Sequence, residues 1–530
     1  MGDTLSSYNL ADIWEAISDR VPDRIAITCD GRSYTYAELE ESMNRLANWF
    51  TSQGVGHGDH VGIHLTNGPE YLVAMFAAFK VRAVPVNINF RYVAGELRYL
   101  FGNAGLVALV HGAEYTERVD EVWDDVPSLR VRSVVGGDHE EHLASADPSR
   151  PTIERSGDDR YLIYTGGTTG MPKGVVWRQE DAFFACIGGG DPMRLNGPVD
   201  EPAQLLDRII DFEFTAYPLA PLMHAAAQWT SISWLFCGGR VVLDPGSFDP
   251  LRVWETIGRE KVSTLIIVGD AMARPLVDTW DAKGPFDVSS LYAVGSGGAP
   301  LTAGLKERLH EILPNAMITD GFGSSETGAQ GSQRLQPGER SEGVTRFNRL
   351  GDGTTVLDDE LREVQPGSGV VGRVALTGRI PVGYHNDPEA SASTFVEVGG
   401  RRWVVTGDAA TVDPDGTITL LGRGSVSINT GGEKVYPEEV EAALKEHPAV
   451  YDAVVVGVPD DRFGERVAAV VQFAEGRSAS LEELADHCRA LIAGYKIPRA
   501  LTVVTRVVRS PVGKADYRWA KETALGAPAS

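Results

Sequence analysis

The chain has 530 residues, more than one hydrophobic core can organise, so several lobes are expected. Hydrophobic residues make up 43% of the sequence and charged residues 23%, as in ordinary soluble enzymes. The net charge of −24 excludes a nucleic-acid backbone as a partner, because binding one needs a basic face.

The N-terminal stretch and the cysteines predict where the chain works. MGDTLSSYNLADIWEAISDR has neither the basic start nor the apolar centre of a signal peptide. No window approaches the roughly 18 consecutive apolar residues of a membrane span. The four cysteines have no CxxC or zinc-site spacing, which indicates buried, reduced thiols (Cys29, Cys186, Cys237 and Cys488). We therefore predict a cytoplasmic protein without a membrane span.

Strand and helix patterns alternate through most of the chain. A capping box of Thr35 and Glu38 predicts a helix, whose apolar residues recur at helical spacing up to Gly54. A strand-like HVGIHL, a helical PEYLVAMFAAFK and a strand-like AVPVNI follow. The same alternation returns from VSTLIIVGD to AMITDGFG. Strands separated by helices predict a parallel sheet covered by helices.

A charged stretch and a glycine-rich stretch follow one another in the first half of the chain. Residues 136–160 are polar and predict a surface linker. The next segment, YLIYTGGTTGMPKGVVW (161–177), predicts a hairpin whose N–H groups, hydroxyls and Lys173 could hold phosphate. It is not a P-loop, because Gly170 precedes Met-Pro instead of lysine and a strand, not a helix, follows. The residues alone leave open a surface hairpin that binds nothing.

The last part of the chain has a different texture. From about residue 350 the strands are shorter and separated by turn signals, and after Arg423 a compact unit begins. It contains a helix opened by Pro437, the strands DAVVVGV and RVAAVVQF, a helix capped by Ser480 with Glu483, and the strand LTVVTRVV. We predict an α/β chain, with a large multi-lobed N-terminal domain of helix-covered sheets and a small α+β C-terminal domain.

Six motifs in a fixed order give the chain a family resemblance. They are YTGGTTGMPKG, SGGAPL (296–301), DGFGSSETG (320–328), TGD (406–408), GRGSVSINTGGEKVYPEEVE (422–441) and SPVGK (510–514). Together they resemble the adenylate-forming superfamily in its acyl-CoA synthetase branch. The sequence of several segments is most similar to actinobacterial fatty-acyl and steroid side-chain CoA ligases. The resemblance covers essentially the whole chain. It implies an N-terminal domain of residues 1–422, a hinge at 423–425 and a mobile C-terminal domain of residues 426–530.

The resemblance also implies an ATP site. Phe322 between two glycines would place a ring against adenine, and Asp408 with Arg423 would bind the ribose. The implied ATP-binding residues are Thr165, Gly166, Gly167, Thr168, Thr169, Gly170, Lys173, Gly298, Ala299, Pro300, Gly321, Phe322, Gly323, Ser324, Ser325, Asp408, Arg423 and Lys514.

Two of the implied residues are catalytic. Glu326 would hold Mg²⁺, a hard cation that prefers oxygen ligands, beside the phosphates. Lys514 would bridge the carboxylate and the α-phosphate, where a positioned cation lowers the barrier between two anions.

The remaining implied sites concern the acid, CoA and the hinge. The acyl pocket would involve His224, Asp270, Gly297 and Phe322, and CoA would contact Gly431, Gly432 and Lys434. Ser425 stands at the hinge, where the family often has Asp or Lys, and Arg82 stands where it commonly has glycine.

The implied activity is ATP-dependent acyl-CoA synthesis through acyl-AMP, with Mg²⁺, on a fatty or steroid side-chain acid. A fatty-acyl-AMP ligase that donates to a carrier protein would share the fold, but the insertion typical of such ligases is not seen. A nucleotide-binding module without catalysis is a third hypothesis, against which the joint retention of the five polar residues argues (Lys173, Glu326, Asp408, Arg423 and Lys514). The sequence leaves the oligomeric state open, with a homodimer as one option.

Overall fold

A computed structural model describes residues 5–165, 171–339, 346–430, 433–460, 463–509 and 513–526, with the backbone but not the side chain of Ser425. The helices are α1 (Leu10–Arg20), α2 (Tyr36–Ser52), α3 (Pro69–Lys80), α4 (Ala94–Ala104), α5 (Thr116–Trp123), α6 (His139–Ser145), α7 (Gln179–Ala185), α8 (Ala225–Leu235), α9 (Pro250–Glu260), α10 (Gly269–Lys283), α11 (Ala303–Ile312), α12 (Pro388–Thr394), α13 (Pro437–Lys445), α14 (Leu481–Arg489) and α15 (Tyr517–Ala524).

The strands alternate with these helices at first and then follow one another directly. They are β1 (Ile25–Cys29), β2 (Arg32–Thr35), β3 (His60–His64), β4 (Val84–Asn87), β5 (Leu106–Gly112), β6 (Val131–Val135), β7 (Arg160–Thr165), β8 (Lys173–Arg178), β9 (Thr215–Pro218), β10 (Arg240–Leu243), β11 (Thr264–Ile267), β12 (Ala293–Gly297), β13 (Met317–Ser324), β14 (Gly328–Leu335), β15 (Arg346–Arg349), β16 (Thr354–Leu357), β17 (Gly372–Thr377), β18 (Gly383–Tyr384), β19 (Phe395–Val398), β20 (Arg401–Val412), β21 (Ile418–Arg423), β22 (Ile428–Thr430), β23 (Glu433–Val435), β24 (Val450–Asp460), β25 (Gly464–Phe473) and β26 (Ala500–Val503).

Local sequence signals account for several element boundaries. Thr35 and Glu38 form the predicted capping box of α2, and Ser480 with Glu483 form that of α14. Both predictions are confirmed. Helix α3 begins with Pro69 at its first position, where a missing N–H is tolerated, and is buried along almost its whole length.

Two large sheets form the N-terminal part, and the predicted parallel, helix-covered pairing is confirmed in both. One sheet has the order β18-β8-β7-β4-β3-β5-β6, with parallel pairing among β3 to β7. The other runs from β2 through the parallel strands β1, β10, β9, β11, β12 and β13 to antiparallel strands. A large apolar core that includes α1, α2, α3 and α8 packs against both sheets.

The C-terminal residues form a third sheet. Its order is β23-β22-β25-β24, and β26 pairs in parallel with β25. Helices α13 and α14 cover one apolar cluster and α15 covers another. This arrangement confirms the predicted small α+β unit. Among the described residues, no helix is both long and apolar enough to cross a membrane.

The predicted linker at 136–160 is partly wrong, because it contains α6. Its residues His139 and His142 point inward: His139 Nδ1 lies 2.8 Å from Ser133 Oγ, and the His142 ring stacks on Trp49 at 4.2 Å. Because charged residues stand between the two histidines, the sequence pattern did not indicate that this helix has an inward face. No cluster able to hold a metal ion occurs there or elsewhere in the described ranges.

Arg82, which replaces a common glycine, has a structural explanation. Its φ is +61°, in the left-handed region that favours glycine. Its guanidinium group binds both oxygens of the buried Asp159, with a shortest distance of 2.7 Å from Nη2 to Oδ1. The ion pair therefore offsets the backbone strain, and it fixes the residue that precedes β7.

Candidate active site

The glycine-rich stretch lies between paired strands, as predicted. Strands β7 and β8 are antiparallel, with Thr165 opposite Lys173. Lys173 Nζ lies 3.4 Å from Asp387 Oδ2 and 5.2 Å from the centre of the Tyr384 ring. The predicted phosphate contacts in the loop lie outside the described residues (Gly166, Gly167, Thr168, Thr169 and Gly170).

The turn after β13 carries the predicted magnesium ligand. Ser324 ends β13, and Ser325 and Glu326 lie in this turn. Trp177 Nε1 donates to Ser325 O at 3.0 Å, which connects the turn to β8. Tyr384 Oη donates to Glu326 Oε1 at 3.0 Å. Burial raises the pKa of Tyr384, and the Glu326 charge raises it further. The phenol therefore stays protonated and holds the carboxylate in one orientation.

Tyr384 was not predicted from the sequence. It lies in PVGYHNDPE, a turn-rich stretch outside the six family motifs, and β18 places it beside β8. Only that long-range pairing brings it to Glu326.

The predicted adenine loop follows a central strand. Strands β11, β12 and β13 are parallel, and Gly297 at the end of β12 lies opposite Gly321. Ligands of such sheets bind beyond the carboxyl ends of the strands, which is where Gly298, Ala299 and Pro300 lie. Pro300 O accepts a hydrogen bond from the N–H of Asp270 at 3.0 Å, so the loop rests on the start of α10.

Phe322 and Gly323 continue β13 at the same end. The Phe322 ring lies 5.5 Å from that of Phe347 and also packs against the apolar cluster beneath β16, β17 and β20. A Cβ at Gly323 would lie 2.1 Å from Gly328 O, so only glycine fits this hairpin.

The predicted ribose pair is formed by neighbouring strands. Asp408 on β20 lies opposite Arg423 on β21, and Arg423 Nε lies 3.6 Å from Asp408 Oδ1. The Asp408 side chain is 16% exposed and that of Arg423 46% exposed, so the carboxylate is the more shielded partner.

Lys514 reaches this site from the far end of the chain. The surrounding protein desolvates its ammonium group and thereby lowers its pKa, and the positive charge of Arg423 acts in the same direction. Glu326 and Asp408 oppose that shift. The structure thus brings Lys514 within electrostatic range of the predicted magnesium and ribose residues.

His224 lies before α8, near the same lysine. Desolvation, with the charge of Lys514, lowers the pKa of His224 to about 4. Its Nε2 atom is shielded from solvent and has no hydrogen-bond partner among the described residues. The imidazole is therefore neutral at neutral pH.

Most of the predicted residues line one cavity of about 2440 Å³. Members of the ATP, catalytic and acyl sets all contribute to its walls: Thr165, Lys173, His224, Asp270, Gly297, Gly298, Ala299, Pro300, Gly321, Phe322, Gly323, Ser324, Ser325, Glu326, Asp408, Arg423 and Lys514. Both carboxylate oxygens of Asp270 already have partners in the protein. Oδ1 accepts a hydrogen bond from the N–H of Thr302 at 2.8 Å, and Oδ2 lies 3.3 Å from Lys445 Nζ.

Among the predicted CoA and hinge residues, only Lys434 has a described side chain. Lys434 is exposed on β23 and does not line the cavity, while Gly431 and Gly432 lie outside the described residues. Ser425 lies in a short helical turn, residues 424–426, and its side chain is not described. Their roles stay predictions.

Two family models match most of the chain. The model of the AMP-binding enzyme family matches residues 14–382, and that of the AMP-binding enzyme C-terminal domain matches residues 439–514. The 3-oxocholest-4-en-26-oate–CoA ligase of Rhodococcus rhodochrous is 46% identical over 533 residues, which cover 97% of this chain and 96% of that protein.

A second relative and a solved structure extend the comparison. A medium/long-chain-fatty-acid–CoA/3-oxocholest-4-en-26-oate–CoA ligase of Mycobacterium tuberculosis H37Rv is 48% identical, over 99% of this chain and 97% of that protein. The crystal structure of the anthranilate CoA ligase AuaEII with anthranoyl-AMP has a TM-score of 0.84 at 24% identity, covering 98% of each chain. That last likeness concerns the fold.

Proposed function

Because this chain belongs to the AMP-binding enzyme family, we propose that its cavity carries out both half-reactions of acyl-CoA synthesis. The chain is an ATP-dependent acyl-CoA synthetase, an acid–thiol ligase, like the CoA ligases to which it is similar over nearly its whole length. The net reaction converts a carboxylic acid, ATP and CoA to acyl-CoA, AMP and pyrophosphate.

The observation that carries the proposed residue roles is the position of Lys514. It lines the same cavity as Glu326, Asp408 and Arg423, and the charges of these three residues act on its ammonium group. A lysine from the C-terminal unit thus faces the ribose pair and the proposed magnesium ligand in one cavity. A cation at that place would offset the negative charge on the α-phosphate.

In the first half-reaction, a carboxylate oxygen of the acid attacks the α-phosphorus of ATP. The bond to the bridging oxygen of the β-phosphate breaks, and pyrophosphate leaves. Asp408 and Arg423 hold the ribose, the hairpin with Lys173 holds the β- and γ-phosphates, and Lys514 offsets the repulsion between the two anions. Since His224 is neutral, Lys514 faces the acid without a second charge from the imidazole.

The residues near Glu326 suit a magnesium ion bound together with ATP. Mg²⁺ is commonly held by one or two carboxylates, substrate phosphates and water, so a single oriented carboxylate is sufficient. Glu326 would be its protein ligand, with Tyr384 fixing that carboxylate. The ion would neutralise charge on the leaving phosphates.

In the second half-reaction, the CoA sulfur attacks the acyl carbon of acyl-AMP, and AMP leaves. The C-terminal domain rotates about the hinge, withdraws Lys514 and presents Lys434 and its neighbours to the CoA. The exposure of Lys434 outside the cavity is consistent with a role in another orientation.

The acid is proposed to be a fatty or steroid side-chain acid, the substrates named for the two relatives. Apolar side chains on and around α8 support a large hydrophobic acyl group. Ile187, Phe214, Trp229 and Trp234 line the cavity, and the rings of Phe214 and Trp234 stack at 4.1 Å.

Acid-dependent exchange between ATP and labelled pyrophosphate tests this function. We expect exchange with long-chain and steroid side-chain acids, weaker exchange with acetate, and release of acyl-CoA once CoA is added. Exchange without any CoA-dependent product would indicate an acyl-AMP ligase with a carrier protein. Absence of exchange across fatty, aryl and steroid acids would contradict the proposal. Sedimentation would settle whether a homodimer forms, on which none of these roles depends.

A further inference from the structure

A chain of partly buried ion pairs connects the N-terminal domain to the loop that carries Lys514. It begins at Asp270 on α10, whose Oδ2 lies 3.3 Å from Nζ of Lys445, the last residue of α13. The same Nζ lies 3.7 Å from Asp452 Oδ1. The side chains of Asp270 and Lys445 are only 12% and 6% exposed, so water screens this pair weakly.

The chain of contacts continues from Asp452 to the lysine loop. Arg509 donates two hydrogen bonds of 2.7 Å to the Asp452 carboxylate, in the bidentate geometry that arginine favours. Arg509 Nη1 also donates to the carbonyl of Gly513 at 3.1 Å, and Arg509 pairs with Ala515 as a β-bridge. The residues on both sides of Lys514 are therefore held by Arg509.

Helix α10 provides a second contact to the same unit. Tyr451 Oη donates to Asp278 Oδ2 at 3.1 Å, and the Arg274 guanidinium lies 4.9 Å from the centre of the Tyr451 ring. Positions 270, 274 and 278 recur every four residues and share one face of the helix. Gly513 packs on this face too, where an added Cβ would lie 2.4 Å from Ala271 Cβ.

We propose that Lys445, through Asp270 and the Asp452–Arg509 pair, is a positioning residue for adenylation, and that this face of α10 docks the C-terminal domain only in the orientation that presents Lys514. The inference rests on the two half-reactions proposed above. Rotation of the domain would separate Lys445 from Asp270 but leave the Asp452–Arg509 pair intact, because those two residues belong to the same domain. The contact thus favours one orientation over the other.

Two conservative variants isolate the link between the domains. Asp270→Asn keeps an acceptor for the N–H of Thr302, and Lys445→Met keeps the aliphatic stem but removes the charge. Each should slow acid-dependent ATP–pyrophosphate exchange about tenfold, with little further loss in the double variant, since both remove one interaction. Thioester formation from supplied acyl-AMP and CoA should stay within about twofold of the original enzyme in Lys445→Met, because Lys445 is not one of the proposed acyl-pocket residues.

Lys496→Met is the matched control. It removes a similar lysine whose partner, Glu439 at 2.5 Å, lies in the same domain. It should leave the ratio of the two half-reaction rates unchanged. A raised KM for the acid in Asp270→Asn alone would instead indicate a pocket role for Asp270. Equal loss of both half-reactions in both variants would indicate a general structural role. Either result would overturn the proposal.

Domain orientation can be measured without activity. All four native cysteines are buried, so dyes can be attached to Glu117→Cys and Ser478→Cys, which lie at exposed positions in the two domains. With ATP and Mg²⁺ as the probe, Asp270→Asn and Lys445→Met should shift the energy-transfer distribution, and Lys496→Met should not. An unchanged distribution in Asp270→Asn and Lys445→Met would refute the docking role, whether or not the enzyme shows exchange. Absence of exchange with every acid would refute only the proposed function.

Discussion

Replacement of Tyr384 by phenylalanine should weaken the use of magnesium in the adenylation step. Tyr384 Oη donates a 3.0 Å hydrogen bond to Glu326 Oε1, the carboxylate proposed to hold the ion. The variant removes that hydroxyl alone, because the ring that lies near Lys173 and packs against Phe395 at 5.6 Å is kept. The change therefore affects the orientation of Glu326 and spares the surrounding packing.

The size of the effect follows from the type of bond. A hydrogen bond to a charged group contributes about 1.5–3 kcal/mol, and Glu326 is half-buried, so the lower end of that range applies. About 1.4 kcal/mol corresponds to a tenfold change in an equilibrium constant. We therefore expect the Mg²⁺ concentration for half-maximal ATP–pyrophosphate exchange to rise about tenfold, within the range seen when the hydrogen-bond partner of a metal ligand is removed.

A second tyrosine–carboxylate pair offers the control. Tyr217 Oη donates to Asp244 Oδ2 at 3.2 Å, and neither residue lines the cavity. Tyr217→Phe should leave the Mg²⁺ dependence unchanged. If Tyr384→Phe also leaves it unchanged, or raises only the KM for the acid, then Tyr384 does not position the magnesium ligand.

Variants at three further positions test other parts of the structure. Lys514→Ala should abolish pyrophosphate exchange yet largely spare thioester formation from supplied acyl-AMP, and equal loss of both would contradict the two-orientation mechanism. Arg82→Ala should lower the free energy of unfolding by about 3 kcal/mol in denaturant titrations, because the buried Asp159 loses its cation. Arg82→Gly should lower it by about 1 kcal/mol less, because glycine adopts the positive φ without strain. Burial raises the pKa of Glu441 to about 7, so the carboxyl stabilises the fold below about pH 4.5 and that stabilisation is lost as the pH rises to about 7. Glu441→Gln, which keeps an acceptor for the N–H of Val455, should remove this loss and stabilise the protein at pH 8 by about 2–3 kcal/mol; an unchanged pH profile would refute the assignment.

The sequence predicted the elements whose signals are local. The capping boxes, the antiparallel strands around the glycine-rich stretch and the α+β unit after Arg423 all follow from spacing within a few residues. Helix α6 escaped notice because its inward residues are histidines within a charged stretch, and histidine carries no clear apolar signal.

Contacts between distant segments were not predictable in this way. Asp270 and Lys445 are 175 positions apart, and neither lies in a motif that points to the other. Tyr384 meets Glu326 only because β18 pairs with β8. Such pairings depend on how the sheets are assembled, which a single sequence does not encode in its local spacing.

The hydrogen bond from the N–H of Asp270 to Pro300 O connects two proposed binding sites. The loop proposed to hold adenine rests on the residue proposed to seat the C-terminal domain. If the docked C-terminal domain raises the affinity for the nucleotide, thermodynamic reciprocity requires that the bound nucleotide favour the docked orientation to the same extent. An adenine nucleotide bound at this loop would then be an effector of domain orientation as well as a reactant.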